Sequence, residues 1–312
     1  MNVQMHNLLT AQDPIQAILD GPEDAVLTVI AGVEGPSYRP VGAMMAVFSG
    51  GERTGTLSSG CIEADIAHHA ETVLSEGKTT LLRYGRGSPF IDIQLPCGGG
   101  LDILLVPRPD RAVLRAVLDH RSRRQPCSLS IDVTTGAMSV EADGETGLEG
   151  DVLNVLFEPE INFLVFGKGP EATTFASLVQ AAGYPNTLLS PDAETLDIAK
   201  AAGCATKTLL SRAFPDDIEG DDRTAVVLFF HDHDWEPPLL AGALETGAFY
   251  IGAQGSQRAR DARMLELEGM GVSADQRARL TGPVGLIPSA RDPGTLAVSV
   301  LAEILATAKA AS

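Results

Sequence analysis

Hydrophobic and polar positions follow different patterns in the two halves of the chain. In the first half, apolar runs of strand length are separated by turns rich in glycine and proline, and two stretches repeat their apolar positions with helical spacing. The predicted strands are 25–31, 43–48, 53–58, 79–84 and 101–106, and the predicted helices are 11–20 and 62–76. This pattern predicts a mixed α/β domain over residues 1–107.

A connecting region follows at residues 108–160. Residues 108–124 have the apolar spacing of a helix and contain six arginines. Such a helix is either a surface helix with solvated charges or a docking surface for an acidic partner. Two apolar strands around Thr134-Thr135-Gly136 predict a hairpin, and the polar stretch 143–150 predicts a loop.

In the second half, strands and helices alternate. The predicted strands are 162–166, 185–189, 225–230 and 248–251, and the predicted helices are 171–182, 196–202, 237–246, 258–268 and 296–308. Repeated strand–helix units form parallel sheets with helices on both faces. We therefore predict a Rossmann-type, doubly wound domain over residues 161–312, and an α/β fold for the chain as a whole.

Charge and composition narrow the function. The chain has 23 basic and 41 acidic residues, a formal net charge of −18, which argues against binding to a nucleic-acid backbone. The N-terminus has no basic segment followed by an apolar core, and no apolar run approaches the length needed to cross a bilayer. The four cysteines are scattered, unlike a disulfide framework or a zinc motif. We expect a cytoplasmic protein that does not act on a membrane.

The strongest chemical motif lies at the start of the second domain. Gly167-Lys168-Gly169 follows a buried strand and opens a helix, with Ala172 completing a G-x-G-x-x-A pattern. Glycines allow a tight turn, and helix N–H groups can then bind a phosphate. The alternative is a structural turn without a ligand. The acid that would hold an NAD ribose is missing, although Asp192 follows the next strand and could substitute.

A second anion site is plausible over residues 252–263, where another strand ends and a helix begins. Gly255 is followed by Ser256, a candidate N-cap, and by Arg258, which suits phosphate recognition; an exposed basic first turn is the alternative. His231 and His233 follow the most apolar strand, at the carboxyl edge where such sheets bind ligands. Two histidines beside aspartates favour contact with a ligand over a metal site.

Two cysteines of the first domain lie in glycine-rich turns. Cys61 precedes a predicted helix, whose positive end favours a thiolate, while Glu63 opposes this effect. Cys97 is followed directly by Gly98 and Gly99. Each cysteine is either a small buried residue or a soft ligand for a metal or a dithiolene-bearing cofactor.

At these residues the sequence resembles the XdhC/CoxI family, the accessory factors of xanthine dehydrogenase and related molybdenum hydroxylases. Ordered blocks over nearly the whole chain carry the resemblance. They are 35–45, 59–64, 81–85, 95–103, the turn at Gly167, 231–233, 250–252 with 255–256, and 282–286. Family members commonly have Gly-Ala-Gly-His at the nucleotide turn, where this chain has Lys168 and Pro170 as the second and fourth residues.

The resemblance implies a cytoplasmic, dimeric factor that binds the molybdenum-pyranopterin cofactor, protects it during maturation and delivers it to an apo-molybdenum hydroxylase. On that basis Cys61 and Cys97 are the residues nearest the metal, and the Rossmann domain holds a phosphate or the dinucleotide form of the cofactor.

Two other hypotheses stay open at this point. The first is an NAD(P)-dependent oxidoreductase with its substrate between the domains and His231 or His233 as general acid–base. The second is a docking protein that recruits a cysteine desulfurase, as sulfur donor, through the arginine-rich helix.

Overall fold

The computed structural model describes residues 13–58, 60, 62–88, 98–231 and 234–311, and every structural statement below concerns these residues. The chain divides into two compact units, the first ending at Pro159 and the second beginning at Glu160. The arginine-rich helix and the hairpin after it belong to the first unit.

A five-stranded antiparallel sheet forms the centre of the first unit. Its elements in chain order are α1 (Pro14–Asp20), β1 (Ala25–Glu34), β2 (Met44–Phe48), β3 (Arg53–Gly55), α2 (Glu63–Glu76), β4 (Thr80–Gly85), β5 (Gly100–Pro107) and α3 (Arg111–Ser122). The strand order is β3-β2-β1-β5-β4. Side chains of β1 alternate between two apolar clusters, one shared with α2 and one shared with α1 and α3. Because both faces of β1 are covered, its apolar run is continuous.

A second antiparallel sheet completes this unit. It contains β6 (Cys127–Asp132), β7 (Met138–Glu141), β8 (Gly147–Glu149) and β9 (Val152–Phe157), in the order β7-β6-β9-β8. The hairpin of β6 and β7 was predicted, whereas β8 lies within the stretch predicted as a loop, and β9 was missed. β8 is a short edge strand with half-exposed and exposed side chains, so its sequence is as polar as a loop.

The second unit contains a six-stranded parallel sheet. Its elements are β10 (Asn162–Gly167), α4 (Pro170–Ala181), β11 (Asn186–Ser190), α5 (Ala193–Ala201), β12 (Ala205–Thr208), β13 (Thr224–Phe229), α6 (Glu236–Glu245), β14 (Tyr250–Ala253), α7 (Gln257–Gly269), α8 (Ala274–Ala278), β15 (Leu280–Thr281) and α9 (Pro293–Ala311). The order β12-β11-β10-β13-β14-β15 is that of a Rossmann sheet, and the predicted fold class is confirmed.

The final helix, α9, differs from one sequence expectation. Its segment Pro293–Ala310 has a mean hydropathy of 1.2 and is long and apolar enough to span a membrane by those two criteria. A third of this window is buried inside the unit, where Ala297, Val300 and Ile304 pack in the same cluster as Phe175 of α4. These buried positions recur every three to four residues, as in an amphipathic helix that packs on a domain core.

Candidate functional site

A cavity of about 400 Å³ opens at the carboxyl edge of the parallel sheet in the second unit. It lies where β13 and β14 end, beside the first turn of α4 and the segment that precedes α9. Its lining residues are Glu171, Phe230, His231, Gln254, Gly255, Ser256, Ala259, Pro283, Val284, Ile287, Ser289, Ala290, Arg291 and Leu296. This size falls in the range of small-ligand pockets, and the carboxyl edge is where doubly wound sheets bind ligands.

One polar group of the cavity is the carboxylate of Glu171, in the first turn of α4. Its Oε2 atom is buried and accepts no hydrogen bond from the part of the chain that the structure describes. Nε2 of His231 lies 3.4 Å from this oxygen, on a side chain that is 71% exposed. A buried oxygen with spare acceptor capacity is unfavourable unless a donor satisfies it, so Glu171 offers a bond to a ligand.

The end of β14 is fixed by a buried ion pair. The amide N–H of Gln254 donates to the carbonyl of Leu228 at 3.0 Å, and its carbonyl accepts from Nη2 of Arg263 at 2.8 Å. Arg263 also donates through Nε and Nη2 to Oε2 of Glu236 at 3.0 and 2.9 Å. Both charged side chains are almost fully buried, 3% exposed for Arg263 and 1% for Glu236.

The wall formed by residues 283–291 is held by α9. The N–H of Ile287 donates to Oγ of Ser299 at 2.7 Å, and the N–H of Gly285 donates to the carboxylate of Glu303. The same carboxylate accepts the hydroxyl of Tyr250 at 2.7 Å. Burial and this bond to Glu303 both raise the pKa of Tyr250, so its hydroxyl stays protonated and keeps the wall in place.

The glycine turn is tightly packed, and its amides have acceptors within the protein. A Cβ on Gly167 would lie 2.6 Å from the carbonyl oxygen of Phe229, so the position requires glycine. The N–H of Lys168 donates to that same carbonyl at 3.1 Å. Gly169 has φ +84° and donates its N–H to Oγ1 of Thr195, on α5, at 3.0 Å.

Asp192 has a capping role next to this turn. Its Oδ2 accepts from Oγ1 of Thr195 at 2.6 Å and from the N–H of Thr195 at 2.9 Å, and these bonds lower the pKa of Asp192. Asp192 is therefore the N-cap of α5. Thr195 thus joins two groups that the sequence offered to a ligand. One is Asp192, the candidate ribose ligand, and the other is the Gly169 amide, a candidate phosphate donor.

In the first unit, three loops leave the antiparallel sheet in the same direction. The end of β1, the end of β4 and the start of β5 are adjacent, since Gly100 is paired with both Glu34 and Gly85. The loop after β3 leaves in the same direction but from a lower register, because Gly55 is paired with Met45 of β2, which is paired with Thr28 of β1. Cys61 and Cys97 are outside the described residues, but the described segments on either side of each belong to these loops.

The loop before α2 is organised around the carboxylate of Glu63. Oε1 accepts from Oγ1 of Thr56 and from the amides of Leu57 and Ser58, at 2.7, 3.0 and 2.7 Å. Oε2 accepts from Oγ of Ser58 at 2.9 Å and from the amide of Ile62 at 3.2 Å. Burial raises the pKa of Glu63, but these bonds and one from the Gly60 amide outweigh it and lower the pKa to about 2.

The loop before β5 is packed against the end of β1. A side chain at Gly99 would collide with the carbonyl of Pro36, and Gly98 has φ +72°, so both predicted positions require glycine for steric reasons. Arg83 joins this edge by ion pairs to Glu34 and, at 2.9 Å, to Asp102.

Comparisons with known proteins decide the family. Residues 163–304 match the model of the XdhC Rossmann domain, and residues 18–85 match that of the XdhC and CoxI family. The chain is 35% identical, over 93% of its length and 85% of the relative's, to the molybdenum cofactor insertion chaperone PaoD of Escherichia coli K12. The chain belongs to the XdhC and CoxI family.

Two more distant similarities extend over the whole chain of this XdhC/CoxI protein. A probable xanthine dehydrogenase subunit of Bacillus subtilis 168 is 25% identical over 95% of this chain and 96% of its own. A crystal structure from Bacillus halodurans, described as a xanthine dehydrogenase, superposes with a TM-score of 0.79 at 20% identity and covers 96% of this chain and 97% of its own. At 20% identity, the similarity to this crystal structure shows the fold alone.

For this XdhC/CoxI chain, the cavity brings together three residues predicted from the sequence, His231, Gly255 and Ser256. Ser256 is the N-cap of α7, as predicted, with its Oγ accepting from the amide of Ala259 at 3.2 Å. Arg258 is exposed and does not line the cavity. His233 lies outside the described residues.

The sequence patterns assigned no role to Glu171, Gln254 or Arg263, although the last two lie within the segment 252–263 that was predicted as a second anion site. Glu171 lies inside the G-x-G-x-x-A pattern, and Gln254 directly follows a strand. Their places in the sequence could therefore have marked both as residues at the carboxyl edge of the sheet. Arg263 looked like one of several exposed arginines. Among the described residues, no group of three or more histidine, cysteine, aspartate or glutamate side chains could hold a metal ion.

Proposed function

We propose that this chain is a maturation factor that binds the molybdenum-pyranopterin cofactor, protects it, and delivers it to an apo-molybdenum hydroxylase of the xanthine dehydrogenase type. Two relatives support this proposal by their names, one as a molybdenum cofactor insertion chaperone and one as a xanthine dehydrogenase subunit. The similarity covers most of each relative's length, so the proposal concerns the whole protein.

The observation that carries the proposal is the cavity of the second unit. Its polar lining includes the Glu171 carboxylate, whose Oε2 atom is buried, and the Gln254 amide, beside the apolar side chains of Phe230, Val284 and Leu296. The pyranopterin of the cofactor is an amino-bearing heterocycle with a phosphate on its side chain, and such a group needs apolar surfaces beside its rings and polar groups at its edges. The residues present therefore fit part of the cofactor, as an organic ligand with N–H donors.

For the first unit, we propose that Cys61 and Cys97 contact the metal end of the cofactor. Their loops leave the antiparallel sheet in the same direction, and thiolates are the ligands that suit a soft, sulfur-bound metal. The other two cysteines of the chain are less suited to binding a metal. Cys127 and Cys204 are buried and burial raises the pKa of both thiols, so neither is poised as a thiolate.

Partners and location follow from the same proposal. A factor that inserts a cofactor must dock on its apoenzyme, and a cysteine desulfurase that supplies sulfur is a second candidate partner. We also propose a homodimer and a cytoplasmic location. Size-exclusion chromatography with light scattering checks the homodimer, and cell fractionation checks the location.

The decisive experiment is mass spectrometry of the small molecules that copurify with the chain, together with the molybdenum content per chain. We expect about one pterin and one molybdenum for each chain, with lower molybdenum retention in C61A and C97A. C127A is the matched control, since Cys127 is buried in a core cluster. Protein that carries no pterin after expression with an active cofactor pathway would contradict the proposal. Full molybdenum retention in both C61A and C97A would contradict only the thiolate part.

A further inference from the structure

We propose that the second-unit cavity recognises the polar edge of an amino-bearing nitrogen heterocycle through Glu171 and Gln254, with Arg291 at the cavity placed for a phosphate carried by that heterocycle. This inference rests on the proposed function and adds the ligand chemistry of one site. Two parts of a dinucleotide cofactor share this chemistry, the pterin and a nucleobase. The glycine turn then has a structural role.

Gln254 supplies one of the two recognition groups. The residue is only 9% exposed and lines the cavity, yet its side-chain amide makes no hydrogen bond within the described part of the chain. Its backbone is fixed on both sides, by Leu228 and by Arg263. A side-chain amide on a fixed backbone, which offers donors and an acceptor to a cavity, is suited to a ligand edge that presents both.

Glu171 supplies the other group and sets the charge of the cavity. Its carboxylate, with the Oε2 atom buried, repels a ligand that is only an anion. A heterocycle with amino or ring N–H groups can donate to the buried Oε2 atom, which needs a donor. His231, whose Nε2 lies 3.4 Å from the same atom, can remain in place beside such a ligand.

The remaining walls of the cavity are largely apolar. They are formed by Phe230, Val284, Ile287 and Leu296, and about 400 Å³ accommodates one heterocycle with a small substituent. Arg291 is exposed, lines the cavity and has no carboxylate partner among the described residues. It is the arginine on this cavity wall, and a guanidinium suits a phosphate.

The glycine turn provides the contrast. Its two amides at Lys168 and Gly169 already donate to Phe229 and Thr195, and Pro170 has no N–H to offer. A phosphate at this turn would have to displace the hydroxyl of Thr195 from the Gly169 amide. The structure therefore favours the cavity over the turn as the place of binding.

The test uses the full chain and four probes: pterin-6-carboxylate, cytidine 5′-monophosphate, guanosine 5′-monophosphate and inorganic phosphate. Binding is measured by isothermal titration or by pterin fluorescence. We expect at least one heterocyclic probe to bind and phosphate alone to bind far more weakly. E171Q and Q254L should each weaken the heterocyclic probe about ten-fold, since each loses a buried hydrogen bond.

Matched controls separate the roles. E194Q and Q257L change exposed residues outside the cavity and should leave affinity unchanged. R291Q should weaken a nucleotide but leave the corresponding nucleoside unaffected, whereas R258Q should affect neither. Circular dichroism checks that each variant is folded. If Q254L does not fold, E171Q, which keeps the shape of the side chain, provides the test.

The outcomes assign the source of the ligand. Binding of the pterin alone identifies the pterin end, and binding of one nucleotide alone identifies a nucleobase; either supports the inference. Failure of all heterocyclic probes at millimolar concentration, or binding that E171Q and Q254L leave unchanged, overturns it. If the chain copurifies with the intact cofactor and yet fails this test, the proposed function stands and only the site is wrong. If the probes bind but the chain never carries the cofactor, the site stands and the proposed function is wrong.

Discussion

Each unit has a buried glutamate that holds a loop next to a candidate binding site, and the two glutamates differ in the groups that bond to them. Glu63 in the first unit accepts hydrogen bonds from neutral amides and hydroxyls of the loop before α2. Glu236 in the second unit is paired with Arg263, which in turn holds the carbonyl of Gln254. Neutral donors stabilise a carboxylate only while the loop keeps its shape, whereas a buried arginine supplies a full charge.

This contrast shows where each loop is vulnerable. In the first unit the acid and the loop are close in sequence, so the loop depends on one side chain from its own helix. In the second unit the ion pair joins α6 to α7, and the loop depends on the packing of two helices. Removing one charge of a buried pair leaves the other unsatisfied, and it is therefore the more damaging change.

R263M is expected to be the most destabilising substitution. Methionine fills much of the same volume but leaves the Glu236 carboxylate buried without its cation, and we expect the second unit to lose about 3–5 kcal/mol of unfolding free energy. Trp235 is the only tryptophan of the chain and lies next to Glu236, so its fluorescence in urea follows this unit. R258M, at an exposed position of the same helix, is the control.

R263M also tests whether the ion pair positions the cavity. Because Gln254 loses one of its two backbone anchors, we expect binding of the heterocyclic probe to weaken at least ten-fold at temperatures where the variant is folded. Unchanged probe affinity in a folded R263M protein would show that Gln254 is held without Arg263, and the contrast between the two glutamates would then concern stability alone.

E63Q is expected to have the next strongest effect. An amide in place of the carboxylate turns one acceptor into a donor that faces the donors of Ser58 and Ile62. The pKa of Glu63 is about 2, against 4.5 for an ordinary glutamate, and this difference corresponds to about 3 kcal/mol of stability at neutral pH. Amide hydrogen exchange in β1 measures the stability of the first unit. E71Q, exposed on the same helix, should change it by less than about 0.5 kcal/mol.

The pH dependence of the first unit gives a stricter test of the role of Glu63. Its folded pKa is lowered, so its contribution is fully present above about pH 4.5 and is lost progressively as the pH falls towards 2. Wild type and E63Q should therefore differ most near pH 7 and converge in acid. A stability difference that stays constant from about pH 7 to about pH 3 would show that the ionised form of Glu63 is not what holds the loop.

The same two regions show what the sequence could predict. The Rossmann fold followed from apolar strand runs in regular alternation with helices, because buried parallel strands leave that pattern whatever their partners. The strands β12 and β15 were not predicted, because short strands at the edge of a sheet need few apolar residues. β9 could have been found from the alternation of Leu153 and Val155, which are both buried.

The site was less accessible to sequence reasoning. Glu63 was expected to oppose a thiolate at Cys61, but its hydrogen bonds to the loop could not be deduced from sequence alone. Arg263 was indistinguishable from its exposed neighbours, because burial of an arginine depends on a partner that lies 27 residues away in α6. The amides of the glycine turn were expected to be spare, and Thr195, which occupies one of them, comes from the next helix.

The mildest change in stability is expected at this glycine turn. T195V keeps the shape of the side chain but removes the hydroxyl that accepts from Gly169 and donates to Asp192, and we expect the second unit to lose about 1 kcal/mol, again followed by Trp235. T307V, whose hydroxyl donates to the carbonyl of Glu303 at an exposed position, is the control.

The more informative measurement on T195V is ligand affinity. Thr195 does not line the cavity, so the pterin and nucleotide probes should bind T195V and wild type equally well. NADH should not bind wild type at millimolar concentration, because the amides of Lys168 and Gly169 already donate to Phe229 and Thr195. An increase of about ten-fold or more in the affinity of T195V for a phosphate-bearing probe would mean that the hydroxyl had been competing with a ligand, and would move the binding site from the cavity to the turn.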